Sequence, residues 1–259
     1  TDCIDYYLIH NIGINEWKRL LPLGVEDFLR QARQSWRVKH LGFSSHASTT
    51  DFTAVVDAFD WQFAQIQYNY LDGQNQAGTD GLAHAAAKGL GVVVMEPLRG
   101  GNLTKSVPPA IQALWDEAET KRTPAEWALR WVWNDPRVTV VLSGMNEETH
   151  VQENLRIASD ALPDSLTEQE LSLIARGAER YRELMPIGCT GCGYCPPCPA
   201  GVNIPACFEI YNNRNMFGAG LHEQIRYYSL IGEGGKPAVA SQCKDCGKCQ
   251  KACPQHLPI

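Results

Sequence analysis

Nine of the ten cysteines lie beyond residue 188, and only Cys3 precedes them. A uniformly built domain does not sort its cysteines in this way, so the chain divides into an ordinary folded part and a tail held by sulfur chemistry. The division is placed at residues 1–165 and 166–259. The second cysteine set runs Cys243, Cys246, Cys249, Cys253 and then Pro254, with gaps of two, two and three residues. This is the spacing of bacterial 4Fe-4S ligation, in which a tight loop offers three thiolates to one cluster and the Cys-Pro step sends the fourth elsewhere. The first set, Cys189, Cys192, Cys195, Cys198 and then Pro199, is one residue shorter before its last cysteine.

In two-cluster ferredoxins the fourth cysteine of each set ligates the other cluster. That rule groups Cys189, Cys192, Cys195 and Cys253 around one cluster and Cys243, Cys246, Cys249 and Cys198 around the other. Zinc is the alternative, because paired C-x-x-C steps also build sites of four thiolates. Cys207 falls outside both sets and reads as a small buried residue. The tail is rich in Gly and Pro and shows helical periodicity only near 206–212 and 221–230, so metal more than a hydrophobic core must hold it together.

The first 158 residues alternate strand and helix. Apolar runs at 6–9, 38–43, 63–68, 92–95 and 138–142 have the length and content of buried parallel strands. Helical patterns follow at 25–34, 48–58, 79–88 and 147–157, with two more at 108–119 and 124–133, the latter with Pro124 in its first turn. Thr167 and Glu170 form a capping box for a further helix running to about residue 184. Such alternation implies a parallel sheet, either open and doubly wound or a closed eight-unit barrel, for which five units are too few. No G-x-G-x-x-G follows any strand, which counts against the doubly wound dinucleotide fold. Gly91, Gly100 and Gly101 read as turn residues rather than as a phosphate loop.

The 23 basic and 29 acidic residues give a formal charge of −6, without a basic stripe that could follow a phosphate backbone, so nucleic acid is not an expected partner. No apolar stretch is long enough to cross a bilayer and no secretory signal is visible, so no membrane association and a cytoplasmic location are expected. The chain opens on Thr-Asp-Cys-Ile-Asp-Tyr, without Met and directly into a strand, and reads as truncated.

His10 closes the first strand, at the end where barrel enzymes build their sites. Together with Leu41-Gly-Phe-Ser-Ser-His46, Gln65-Ile-Gln-Tyr-Asn69, Val94-Met-Glu-Pro-Leu-Arg-Gly-Gly101, Ser143-Gly-Met-Asn146 and Glu153-Asn154, it resembles the aldo-keto reductase family in order and spacing. Within that family the chain resembles the branch with an appended ferredoxin-type domain, and the helices between its cysteine sets resemble the α-helical ferredoxin. The resemblance implies an α/β fold: about the last five units of a (β/α)8 TIM barrel, followed by a small, mainly α-helical iron-sulfur domain carrying two 4Fe-4S clusters.

It further implies NAD(P)H as cofactor and a small carbonyl or alcohol as substrate. The family reduces carbonyls with a Tyr, Lys, Asp, His tetrad, of which only the histidine is matched, at His10; this segment alone is expected to be inactive. Ser44, Ser45 and Gln65 fall where the family holds the nicotinamide carboxamide, Ser45 standing where Asn is usual. Met95 takes the position of a ring stacked on nicotinamide. Glu153 and Asn154 match the adenine-side pair, while His150 stands where NADPH-specific members carry arginine. Tyr6 and Tyr7 read as packing residues. The iron-sulfur domain of such a reductase would move electrons to or from a redox partner protein. Two other functions stay open: a ferredoxin-like electron carrier or interaction module with an inactive barrel, and clusters that only fold the tail.

Overall fold

The computed structural model describes residues 2–105, 107–189, 195–218, 220–230, 236–253 and 257–259. Cα packing divides the chain into two compact units, one of residues 1–104 with 120–174, the other of residues 105–119 with 175–259.

In the first unit, five strands, β1 (Ile4–Ile9), β2 (Val38–Ser45), β3 (Phe63–Gln67), β4 (Gly91–Met95) and β5 (Val138–Val141), form one sheet in the order of the chain. Every pairing is parallel. Right-handed crossovers that always step in one direction place all their helices on one face, and the sheet is therefore a barrel wall. A doubly wound sheet would reverse its strand order. Its helices are α1 (Ile14–Leu20), α2 (Val25–Gln34), α3 (Thr49–Ala58), α4 (Gly78–Ala87) and α5 (Asn102–Lys105), then, after α6 (Pro109–Glu117) of the second unit, α7 (Pro124–Trp133) and α8 (Glu148–Asp160). Several start as the sequence dictates: Ser48 Oγ accepts from Asp51 N, and Thr123 Oγ1 accepts from Glu126 N with Pro124 in the first turn.

The alternate residues of each strand sort by face. Leu41, Phe43, Ala64, Ile66, Val92 and Val94 are buried against the helices, where Trp17, Leu29, Phe52 and Trp61 meet them. Trp61 anchors this layer, its ring 5.2 Å from Trp17 and 5.0 Å from Phe43 and its Nε1 donating to Val55 O. The opposite face carries Tyr6, stacked on His40 at 4.9 Å and edge-on to Phe63 at 5.6 Å. Tyr7 faces the helices instead and meets Phe28. Both tyrosines make ring contacts, Tyr7 while half-buried and Tyr6 while 68% exposed.

Helix α9 (Glu168–Glu183) runs from the first unit into the second. Its capping box is formed: Thr167 N donates to Glu170 Oε2 while Glu170 N donates to Thr167 Oγ1. In the second unit, Gly177 of α9 lies under the Trp115 indole of α6. Helices α10 (Ile204–Phe217), α11 (Leu221–Tyr228) and α12 (Lys248–Ala252) complete that unit. Buried Asn212 of α10 donates to Ile187 O and accepts from Ile187 N, holding the segment that enters the first cysteine set. Among the described residues no helix is long and apolar enough to cross a membrane.

Candidate functional site

Parallel pairing sets the C-terminal ends of β1 to β4 side by side, and the registered pairs Ser44–Gln65 and Gln67–Met95 put their side chains on the face away from the helices. Ser44 Oγ lies 3.2 Å from His10 Nδ1 and accepts from Asn11 N at 2.8 Å. Gln65 Nε2 donates to Met95 Sδ at 3.4 Å. His10, Ser44, Gln65 and Met95 therefore form one row across four strand ends. His10 is exposed while Ser44 is buried, so the imidazole reaches solvent from a fixed base.

Ser45 points to the helix side, where its Oγ accepts from Ala47 N. Glu153 and Asn154 lie on α8. Glu153 Oε1 accepts from Thr123 Oγ1 at 2.6 Å, and Asn154 Nδ2 donates to Ser143 Oγ at 3.0 Å, tying the middle of α8 to the loop after β5.

Beside the row lies a network that the strand motifs alone do not reveal. Asp72 Oδ2 accepts from Gln67 Nε2, Asn69 Nδ2 and Arg99 Nε, and both partners of the 2.8 Å Arg99–Asp72 pair are 12% exposed. Asn69 Nδ2 also donates to Glu96 O. The network ties the loop after β3 to the loop after β4. Its signal was diluted in sequence, because Asp72 and Arg99 lie 27 residues apart. Asn11, Glu96 and Arg99, which follow β1 and β4, adopt positive φ of 50°, 55° and 51°. Such backbone is costly for residues with a Cβ, and its clustering at one sheet end marks that end as specialised.

In the second unit, Cys195, Cys198, Cys207, Cys243, Cys246 and Cys249 line one cavity of about 300 Å³, with Val202, Ile204 and Phe208 among its apolar walls. The donor set fits iron-sulfur ligation by its chemistry, thiol sulfurs in an apolar lining. Among the described residues no three Cys, His, Asp or Glu side chains converge on a single ion position. Cys198 shares the cavity with Cys243, Cys246 and Cys249, and Cys195 lines it too. Cys253 is buried at the end of α12, and Cys189 is half-buried. Cys192 lies outside the described residues. Cys207 is half-buried rather than buried, and its Sγ donates to Ala238 O at 3.9 Å. Burial pushes its thiol above the ordinary value, which favours the protonated form over a ligating thiolate.

Residues 1–174 match the aldo/keto reductase family, and residues 188–257 match the 4Fe-4S dicluster domain. No curated protein matches the chain. The holo and apo structures of the aldo-keto reductase AKR11C1 from Bacillus halodurans each align at 22% identity with a TM-score of 0.55, over 68% of this chain and 62% of theirs. At that identity the likeness speaks for the fold, and the chain spans less than two thirds of the length of those structures.

Proposed function

The chain belongs to the aldo/keto reductase family and joins its barrel portion to a 4Fe-4S dicluster domain, and from that premise we propose that it serves NAD(P)-dependent interconversion of small carbonyls and alcohols, with electrons passing through two clusters. The observation that carries this reading is the row of His10, Ser44, Gln65 and Met95 across four adjacent strand ends. Bound nicotinamide supplies a hydride, and the clusters exchange single electrons. Ser44 Oγ–H, donating to His10 Nδ1, selects the tautomer that carries its proton on Nε2. His10 Nε2–H then points at the exposed side of the row and donates to a substrate oxygen as negative charge develops on it. Gln65 offers an amide to the nicotinamide carboxamide, and Met95 supplies polarizable bulk beside it. Glu153 and Asn154 are the polar pair for the adenine side. Cys189, Cys192, Cys195 and Cys253 hold one cluster and Cys243, Cys246, Cys249 and Cys198 the other, within a functional domain that begins at about residue 166.

Equilibrium titration with NADPH and NADH, followed by energy transfer from the protein's tryptophans, should give saturable binding. Gln65→Leu should weaken it by about tenfold, the equivalent of one hydrogen bond to a polar ligand group. A second reading is an electron carrier with an inactive barrel, served by the cysteine-lined cavity of the second unit. Clusters that reduce normally in a protein that binds neither nucleotide would decide for the carrier.

A further inference from the structure

Between residues 236 and 259 stand Lys236, Lys244, Lys248 and Lys251 against a single acid, Asp245, in a chain whose formal charge is −6. Three of these lysines alternate with the cysteines of the second set. Asp245 and Gly247, at φ of 49° and 65°, turn the backbone twice between Cys243 and Cys249, and Asp245 N donates to Cys243 Sγ at 3.4 Å. With Cys243, Cys246 and Cys249 given to the cavity, the residues between them are left at the surface.

Lys244, Lys248 and Lys251 are exposed accordingly, as are Cys243 and Cys246. Lys244 and Lys248 border the cysteine cavity itself. Lys248 and Lys251, three apart on α12, share one side of that helix. Among the described residues none of the three pairs with a carboxylate, whereas Arg226 of the same unit spends its charge on Glu209 at 2.8 Å.

Unpaired ammonium groups beside a cluster site have two uses. One is to offset the negative charge of the ligated cluster, but water and salt screen an exposed amine within about 8 Å, which leaves it little hold on the centre. The other is to steer a partner that is still in solution, and for that use exposure is an advantage. Three lysines also fall short of the cluster of about four to eight that holds a protein to anionic lipid.

We propose, resting on the electron-transfer reading above, that the Lys244, Lys248 and Lys251 face is the docking surface for a one-electron carrier protein whose own redox group is ringed by Asp and Glu. One electron crosses the face, oxidising the centre on one side and reducing the centre on the other, with no bond made or broken and no proton moved. The clusters pass electrons singly, so their exchange partner is a one-electron centre, and weak electrostatic docking gives it close but brief approach.

The test is a calorimetric titration of the anaerobically purified full chain with a plant-type 2Fe-2S ferredoxin of net negative charge, both oxidised so that no electron moves. Saturable binding is expected at an ionic strength of about 20 mM and should weaken at least about tenfold by about 300 mM, as the Debye length shrinks. Lys248→Glu should cost about fivefold in affinity at low salt, and Lys248→Glu with Lys251→Glu more than about tenfold. Lys18→Glu, the same change in net charge at an exposed lysine of α1, should leave affinity within about twofold. The charge-reversed variants should keep their iron and their midpoint potentials, which separates docking from tuning of the clusters. Lys248→Gln, expected to cost about twofold, serves if a reversal loses iron. Electron transfer between the dithionite-reduced chain and the same ferredoxin should slow in parallel with the loss of affinity. Salt-indifferent affinity, an equal loss from Lys18→Glu, a shift of potential that accounts for the slower transfer, or charge-dependent binding to anionic phospholipid vesicles in place of the ferredoxin would overturn the docking face while leaving the redox role of the clusters intact. A chain without reducible clusters would overturn both.

Discussion

Gly42 faces the same side of the sheet as the candidate site, and a Cβ placed there would lie 2.6 Å from the Phe63 ring on the neighbouring strand. The ring can cross β2 only because position 42 has no side chain. Gly42→Ala should therefore destabilise the first unit by about 1–3 kcal/mol, the cost of overpacking, seen as a melting transition lowered by roughly 5 °C. No sequence rule identified this glycine, because the clash involves a residue 21 positions on that meets it only through register. His10 was legible, since a histidine after an apolar run falls at a strand end. Its hydrogen bond to Ser44 was not, because the two are 34 residues apart in sequence and are joined only by the pairing of β1 with β2.

Helix α7 shows how an element can be fixed in place by charge. Glu126, 6% exposed, accepts from Arg130 Nε and Arg156 of α8, each at 2.8 Å, and Arg122 approaches it at 3.7 Å while also pairing with Glu170 of α9. Burial alone would raise the Glu126 carboxyl, but the hydrogen bonds from Arg156 and Arg130 prevail and hold it below its ordinary 4.5. A carboxylate depressed in the folded state contributes stability that is complete above the ordinary value and is lost as pH falls through the lower, folded one. The first unit should accordingly lose stability on acidification below about pH 4.5. Glu126→Gln should cost about 2–4 kcal/mol at neutral pH by leaving buried Arg130 short of its partner, and should flatten the acid limb of the melting-temperature profile. At this scale the sequence was most informative: the α2 and α7 spans and the Thr167–Glu170 box follow its periodicity and caps. The short α1 was missed because two turns of chain carry too little periodic signal, and its position is set by Trp17 docking into the aromatic layer.

At the scale of the whole molecule, the second unit draws its order from sulfur as well as from packing. Cys198→Ser and Cys246→Ser should each reduce bound iron from about eight to about four atoms per chain, and the double variant should lose no more. Loss of different iron by the two variants would refute their assignment to one cluster. Anaerobic chelation should remove the helical signal of α10 to α12 while the melting transition of the barrel portion persists, as coupling of metal binding to folding requires. The kinds of element, their order and the presence of two cysteine sets were determined by the sequence alone, because strand period, helix caps and ligand spacing are local properties of consecutive residues. The tertiary structure decided which residues meet: the row from His10 to Met95, the Asp72 and Arg99 network, and Phe63 over Gly42. Each of these joins residues far apart along the chain, and register and helix packing fix such meetings only after the backbone has closed.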